Sequence, residues 1–395
     1  MSAVMPVSQQ RRLPLFEQAF RPFFLGAALF AGIALPAWIA SLAHGTTWPS
    51  HLALRDWHAH EMIFGYFGCV LGGFILTAIP NWTNRLPVSG APLAALSGLW
   101  LAGRIAMGIS AGWPVMAAVL DASYLVALAF VAWRELVASR NVKNLPVCVL
   151  IGLVALANIG FHAAELYGGD TLVFERMALG IAALLIALIG GRIVPSFTRN
   201  WLVKQGETAL PASFGTFDKV SLAVTATAIL SWIALPSSPE SGALFAAAAL
   251  LHAIRVCRWR FWRTTSEPLL LILHVGSSWL ALWLALEAVA ALLPDALDAS
   301  TALHALTTGA VGTMTLAVMT RAILGHTGRA LTAGPLTITI YLLVNAGALL
   351  RLAAPFLPFD RLGALTVSGS IWASAFILFT LAYAPMLLVP RKGNS

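Results

Sequence analysis

The chain has 395 residues, of which 59% are hydrophobic and 10% charged, with a formal net charge of +8 and a mean hydropathy of +0.83. A soluble domain of that length would lack the polar surface to meet water, so the composition excludes one. The positive charge does not point to nucleic acid either, because Lys and Arg are distributed over separate connections instead of one basic face.

Apolar runs of about 20 residues, each long enough to cross roughly 30 Å of hydrocarbon as a helix, recur to the end of the chain. In chain order they predict helices over 22–42, 59–80, 90–109, 113–133, 145–166, 172–196, 216–235, 241–257, 267–292, 300–323, 332–354 and 362–388. The expectation is an all-α polytopic membrane protein of about twelve transmembrane helices, a single transmembrane domain over 1–395. The first run is not read as a cleaved leader, since comparable runs follow it throughout. The divisions between the third and fourth helices, and between the eleventh and twelfth, rest on short connections.

Charge orients these helices. Arg11, Arg12, Arg21, Arg85, Arg134, Arg140, Lys143, Arg192, Arg199, Lys204, Lys219, Arg255, Arg258, Arg260, Arg263, Arg321, Arg329, Arg391 and Lys392 fall in alternate connections, 19 of the 24 basic residues. The intervening connections hold only Arg55, Arg104, Arg176, Arg351 and Arg361, with acids such as Asp170, Glu240, Asp295 and Asp298. The positive-inside rule then places both termini in the cytoplasm and fits an even number of spans. Cys69, Cys148 and Cys257 lie in or near predicted helices without a CxxC, so covalent c-type haem attachment, a zinc ribbon and a disulfide framework are all excluded.

The second, sixth and tenth predicted helices share a register. With His60, Glu175 and His304 aligned, Gly65, Gly180 and Gly309 follow, then Thr77, Arg192 and Arg321, then Pro80, Pro195 and Leu324, then Thr83, Thr198 and Thr327. This pattern reads as three units of four helices, about 16–133, 145–257 and 267–388, with three equivalent helices around a common centre. The shared glycine would allow close approach between helices.

Six histidines sit in or at the edges of the apolar segments: His58, His60, His162, His252, His274 and His304. An ionisable side chain in a bilayer is costly, so such residues face a protein interior and bind something. Neutral imidazole is the commonest protein ligand for haem iron and also binds copper. Each lone histidine also has a plainer reading, as a hydrogen-bonded packing residue. Helix direction sorts them: His58, His60, His162 and His304 can gather at the outer face, and His252 and His274 can pair near the inner face with His326 close by. His58 and His60 are two residues apart and point about 200° from each other on a regular helix, so they cannot both ligate one small ion. If the helix begins between them, His60 faces the bundle and His58 comes from the loop.

Arg192 and Arg321 either snorkel to the interface or pair with haem propionates, which favour planar bidentate donors. The run Arg255 to Arg263, with Trp259 and Trp262, reads as a topology anchor. Glu61, Glu165, Glu175 and Glu287 fall in the outer half, placed to orient metal-bound imidazoles or to pass protons, Glu61 and Glu175 above all.

Twelve helices in three arcs, with histidines on the second and tenth, resemble the catalytic subunit of haem–copper oxidases, a family that places metal-ligand histidines on its second, sixth and tenth helices. The sequence departs from that family at Glu175 and in lacking a His-His pair on the seventh helix, so the oxidase copper site does not carry over. Four longer motifs resemble the NnrS family from about Phe16 to the end of the last helix. They are Trp57-His58-Ala59-His60-Glu61-Met62 with the downstream Thr77-Ala78-Ile79-Pro80-Asn81-Trp82-Thr83; Asn158-Ile159-Gly160-Phe161-His162; Gly190-Gly191-Arg192-Ile193-Val194-Pro195-Ser196-Phe197-Thr198-Arg199-Asn200; and His304-Ala305-Leu306-Thr307-Thr308-Gly309 with Met319-Thr320-Arg321 and Gly325-His326-Thr327-Gly328-Arg329.

That resemblance implies a bacterial inner-membrane protein containing haem, with copper as a further metal, in the response to nitric oxide and in denitrification. The absence of CxxCH makes the expected haem b-type. The expected activity is binding of nitric oxide, with reduction (2 NO + 2 e⁻ + 2 H⁺ to N₂O and water) as its enzymatic form. The rival readings are a polytopic transporter and a haem or metal delivery factor.

Overall fold

The computed structural model describes residues 13–391 apart from Asn141 and Phe359; the basic residues Arg11, Arg12 and Lys392 used in the charge argument lie outside the described residues. Twelve helices are long and apolar enough to cross a membrane: α1 Phe20–His44, α2 Leu54–Thr83, α3 Ala91–Gly108, α4 Pro114–Ser139, α5 Val142–Tyr167, α6 Thr171–Lys204, α7 Thr216–Ala234, α8 Pro239–Arg263, α9 Pro268–Leu292, α10 Ala299–His326, α11 Pro335–Phe356 and α12 Arg361–Leu388. No strand occurs among the described residues. The polytopic all-α expectation is met, and every expected division between helices is present.

Several helices run past their expected ends. α2 starts at Leu54, not 59, and α6 continues to Lys204. Hydropathy stops at the first charges, whereas the backbone ladder continues through Arg55 and Asp56, or through Arg199 and Lys204, where the chain can reach water. Local chemistry marks many ends. Proline opens α4, α8, α9 and α11, where a missing N–H costs nothing. Asp170 and Asp298 cap α6 and α10 with their side chains. Gly168 ends α5 at φ 73°, a left-handed conformation that suits glycine.

Consecutive helices pack as neighbours, and α1 lies along α12, closing the ring. Inside it are α2, α6 and α10: 78%, 72% and 72% of their apolar windows are buried, against 61% or less for the other nine. A small apolar pocket of about 70 Å³ is lined by these three alone, with Phe67 and Leu71 from α2, Ile186 and Ile189 from α6, and Met314 and Val318 from α10.

Each of the three central helices contains a π-helical stretch, Glu61–Phe67, Ile186–Gly190 and Ala305–Val311. In α2 and α10 it begins one residue after His60 and His304. Such a stretch widens the helix and leaves carbonyls poorly paired. A donor from a neighbouring helix meets each one. Trp100 Nε1 donates to the Gly65 carbonyl at 2.9 Å, Arg255 donates to the Ala187 carbonyl at 3.3 Å, and Trp372 Nε1 donates to the Thr308 carbonyl at 3.1 Å. The aligned glycines are also filled, by side chains where backbone approach was expected: Arg104 lies against Gly65, Ile229 against Gly180 and Trp279 against Gly309.

Candidate functional site

α2 carries two histidines into two different sites. It is helical from Leu54, so His58 lies on the helix and not in a loop, and the two-residue spacing turns the imidazoles to opposite sides. The single outer cluster of four histidines is therefore replaced by two pairs. His60 meets His162, with ring centroids 4.8 Å apart, while His58 and His304 line one large cavity.

The His60 site is dry: His60, Glu61, Asp121, Asn158 and His162 are at most 3% exposed and Arg104 is 7% exposed. His60 Nδ1 lies 2.9 Å from Glu61 Oε1, to which it donates. Its Nε2 lies 3.1 Å from both Asn158 Oδ1 and Asp121 Oδ2. His162 Nε2 is 2.8 Å from the same Asp121 oxygen, and Asn158 Nδ2 donates to it at 2.8 Å. Arg104 bridges the two acids, with Nη1 at 2.5 Å from Glu61 Oε1 and Nη2 on Asp121 Oδ1. The space for that guanidinium comes from Gly65, where a Cβ would lie 2.5 Å from Nη1. Among the described residues, His60, Asp121 and His162 are the one group of three or more potential metal ligands whose donor atoms all lie within 4.8 Å of one another.

The second site is a cavity of about 950 Å³ at the end of the bundle where α2, α6 and α10 begin. His58 and His304 line it, with Trp38 stacked on His58 at 4.1 Å between centroids. His304 Nδ1 donates to the Ser300 carbonyl at 2.6 Å, which leaves Nε2 as the lone-pair nitrogen. Asp298 builds that turn: its carboxylate accepts from Thr301 N at 2.9 Å and from Thr301 Oγ1 at 2.6 Å. Arg55, Arg176, Arg351 and Arg361 also line the cavity, and Arg351 Nε is buried without a partner. Of the acids, Glu175 lines the cavity but is held on both oxygens by Arg55, one pair at 2.7 Å. Glu287 lines it as well, 4% exposed, with Oε2 unpartnered. Glu61 is engaged across α2 in the His60 site.

The two histidines of the expected inner pair each meet a threonine. His252 Nε2 is 3.0 Å from Thr225 Oγ1, and His274 Nε2 is 2.9 Å from Thr198 Oγ1. Both rings are buried, each bound to a threonine of a different helix, as packing histidines are. His326 packs on Phe20 at 5.5 Å between centroids. Arg192 bonds Asn144 Oδ1 at 3.2 Å, and Arg321 stacks on Phe197 at 4.2 Å; neither lines the cavity. Arg255 is no interfacial anchor. It is 1% exposed and paired with Asp218 at 2.9 Å.

Sequence reasoning passed over Asp121, quoted Asn158 within a motif without a role, and treated five arginines only as exceptions to the charge pattern. Arg104 joins the acids of the His60 site, and Arg55, Arg176, Arg351 and Arg361 all line the cavity. A basic residue on the side where basic residues are scarce was the available signal.

The fold and these sites define a multi-pass helical membrane protein with histidine sites inside the bundle. The family model described as NnrS protein matches residues 14–391, and the chain belongs to that family. No curated protein matches the chain.

Proposed function

We propose that the protein binds a b-type haem in the large cavity and uses it to bind nitric oxide. One observation carries the reading: His58 and His304 face a single cavity of about 950 Å³, and His304 has its Nδ1 tied to a backbone carbonyl. Metal-bound histidines almost always donate their second ring nitrogen in this way, which fixes the tautomer and orients the ring. The volume falls within the range of about 300–1,000 Å³ typical of cofactor sites.

The donor set fits haem. His304 is the oriented ligand. Among the described residues no hydrogen bond fixes the His58 ring, which stacks on Trp38 and would be the displaceable imidazole. Arg351, with a free buried Nε, and Arg361 and Arg176 supply positive charge for propionates, in the role first assigned to Arg192 and Arg321. When bound, haem supplies a coordination position for nitric oxide and, for reduction, the electron chemistry. The chain's own part is to exclude bulk water, fix the ligand and hold a proton source. Glu287 suits that last role better than Glu175, whose oxygens are both committed to Arg55. The copper implied by family resemblance belongs to the same reading as a second, imidazole-bound metal. Family membership supports a role in the nitric oxide response, and the charge distribution supports a bacterial inner membrane with this cavity on the outer side.

Haem quantification and absorption spectra of purified variants test this. His304→Ala should lose haem. His58→Ala should retain it with a changed spectrum and a changed response to nitric oxide, and His252→Ala and His274→Ala should match the wild type. A purified wild-type protein without a Soret band after haem supplementation would end the proposal. Anaerobic nitric oxide consumption with an artificial electron donor, following N₂O, separates turnover from binding.

A further inference from the structure

The His60 site poses a hydrogen-bond problem that its own protons do not solve. Glu61 Oε1 accepts from His60 Nδ1–H, so a neutral His60 has its lone pair on Nε2. That lone pair faces two acceptors at 3.1 Å, Asp121 Oδ2 and Asn158 Oδ1. Turning the Asn158 amide over does not help: its nitrogen would then serve His60, and its oxygen would face the Asp121 carboxylate, 2.8 Å from the atom it replaced. One lone pair meets another in either orientation. The charges also fail to close. Among the described residues a single guanidinium, that of Arg104, faces the two carboxyl groups of Glu61 and Asp121 in a dry interior, where an unmatched charge is costly.

A cation between the three facing atoms removes both faults. We infer that His60 Nε2, His162 Nε2 and Asp121 Oδ2 bind one divalent first-row transition-metal ion. The separations suit it. Ligands about 2.0–2.1 Å from a tetrahedral centre are roughly 3.3 Å apart, and Asp121 Oδ2 lies 3.1 Å from one imidazole nitrogen and 2.8 Å from the other. Two imidazoles and one carboxylate are a known donor set for such ions. Glu61 completes it from behind, accepting from His60 Nδ1–H as the orienting carboxylate of a metal-bound histidine. The ligands come from three helices, α2, α4 and α5, so the ion would also tie the first part of the bundle together. The site is independent of the haem cavity, which lies on the other side of α2.

The competing occupant is a proton, making His60 an imidazolium. The experiment separates the two. Protein purified in detergent is stripped with a chelator, loaded with Cu²⁺ alone, washed, and measured by elemental analysis and electron paramagnetic resonance. Wild type and His58→Ala should each retain about one copper per chain with hyperfine splitting from two imidazole nitrogens. His162→Gln and Asp121→Asn should retain at least tenfold less, and Glu61→Gln should bind 10–100-fold more weakly. Monodisperse elution of His162→Gln serves as the folding control if Asp121→Asn does not assemble. The inference is overturned if wild type retains no copper, or if folded His162→Gln retains as much as wild type.

Discussion

The guanidinium of Arg255 sits where a side chain at Gly191 would have to be. From there it reaches both the Asp218 carboxylate and the Ala187 carbonyl released by the π-helical stretch of α6. Gly191→Ala should displace it and leave a buried acid and a buried carbonyl unpaired, at about 3–5 kcal/mol. Gly98→Ala in α3, where a Cβ meets open space, should instead be neutral or stabilising by up to ~1 kcal/mol. Thermal unfolding in detergent compares them, and equal melting temperatures for the two variants would refute this account of the Gly190-Gly191 motif.

Thr198 and Thr225 each hydrogen-bond one ring nitrogen of a buried imidazole, of His274 and His252 respectively. Replacing either threonine with valine keeps the shape and strands a ring nitrogen, a loss of about 1–3 kcal/mol. Haem content and the absorption spectrum should not change. A shifted or missing Soret band in Thr198→Val or Thr225→Val would mean that these histidines do ligate a metal.

Asp298 should show its contribution only in acid. Burial pushes its carboxyl up, but the hydrogen bonds from Thr301 and the nearby charges of Arg351 and Arg361 outweigh it and hold the group below the ordinary carboxylate range. A depressed folded value means that the stabilisation is fully present above about pH 4 and fades as pH falls through that lower value. Asp298→Ala should therefore cost about 1 kcal/mol at both pH 8 and pH 5, with the difference shrinking below pH 4. Asp298→Asn, which still caps, should lose less. Melting curves at three pH values read this directly.

Orientation follows from charge and is open to a labelling test. In a Cys257→Ser background, where Cys69 and Cys148 are buried, cysteines are placed at Ala296 and Ser266, both exposed in connections flanking α9. An impermeant maleimide applied to intact cells should label position 296 and spare position 266. The opposite result would invert the assigned topology and put the large cavity on the cytoplasmic side.

Spans and helix order were readable from hydropathy because a bilayer-crossing helix must be apolar along its length. The chemistry was only half readable, for a reason visible at His58 and His60. Sequence gives each residue its turn on its own helix but says nothing about which neighbouring helix meets it. Their divergence was legible; their partners were not, since Asp121, Asn158 and His304 all lie more than 60 positions along the chain from the α2 histidine whose site they share. His252 and His274 bond Thr225 and Thr198, partners on other helices that the sequence does not point to. Arg255 was misassigned because four basic residues in nine positions read as a surface run, although the first is buried in the bundle.

The wide stretch Glu61–Phe67 makes the sorting of the two α2 histidines a matter of counting. Removing one residue from it while the wide winding is kept would turn everything before the deletion by roughly a quarter of a turn relative to everything after it. His58 and His60 would both survive such a deletion, yet neither would face the partners it faces now. The two sites are thus bound to each other through chain length: a lineage that gained or lost a residue there would have to rebuild both together, whereas the loops outside the bundle are free to lengthen and shorten.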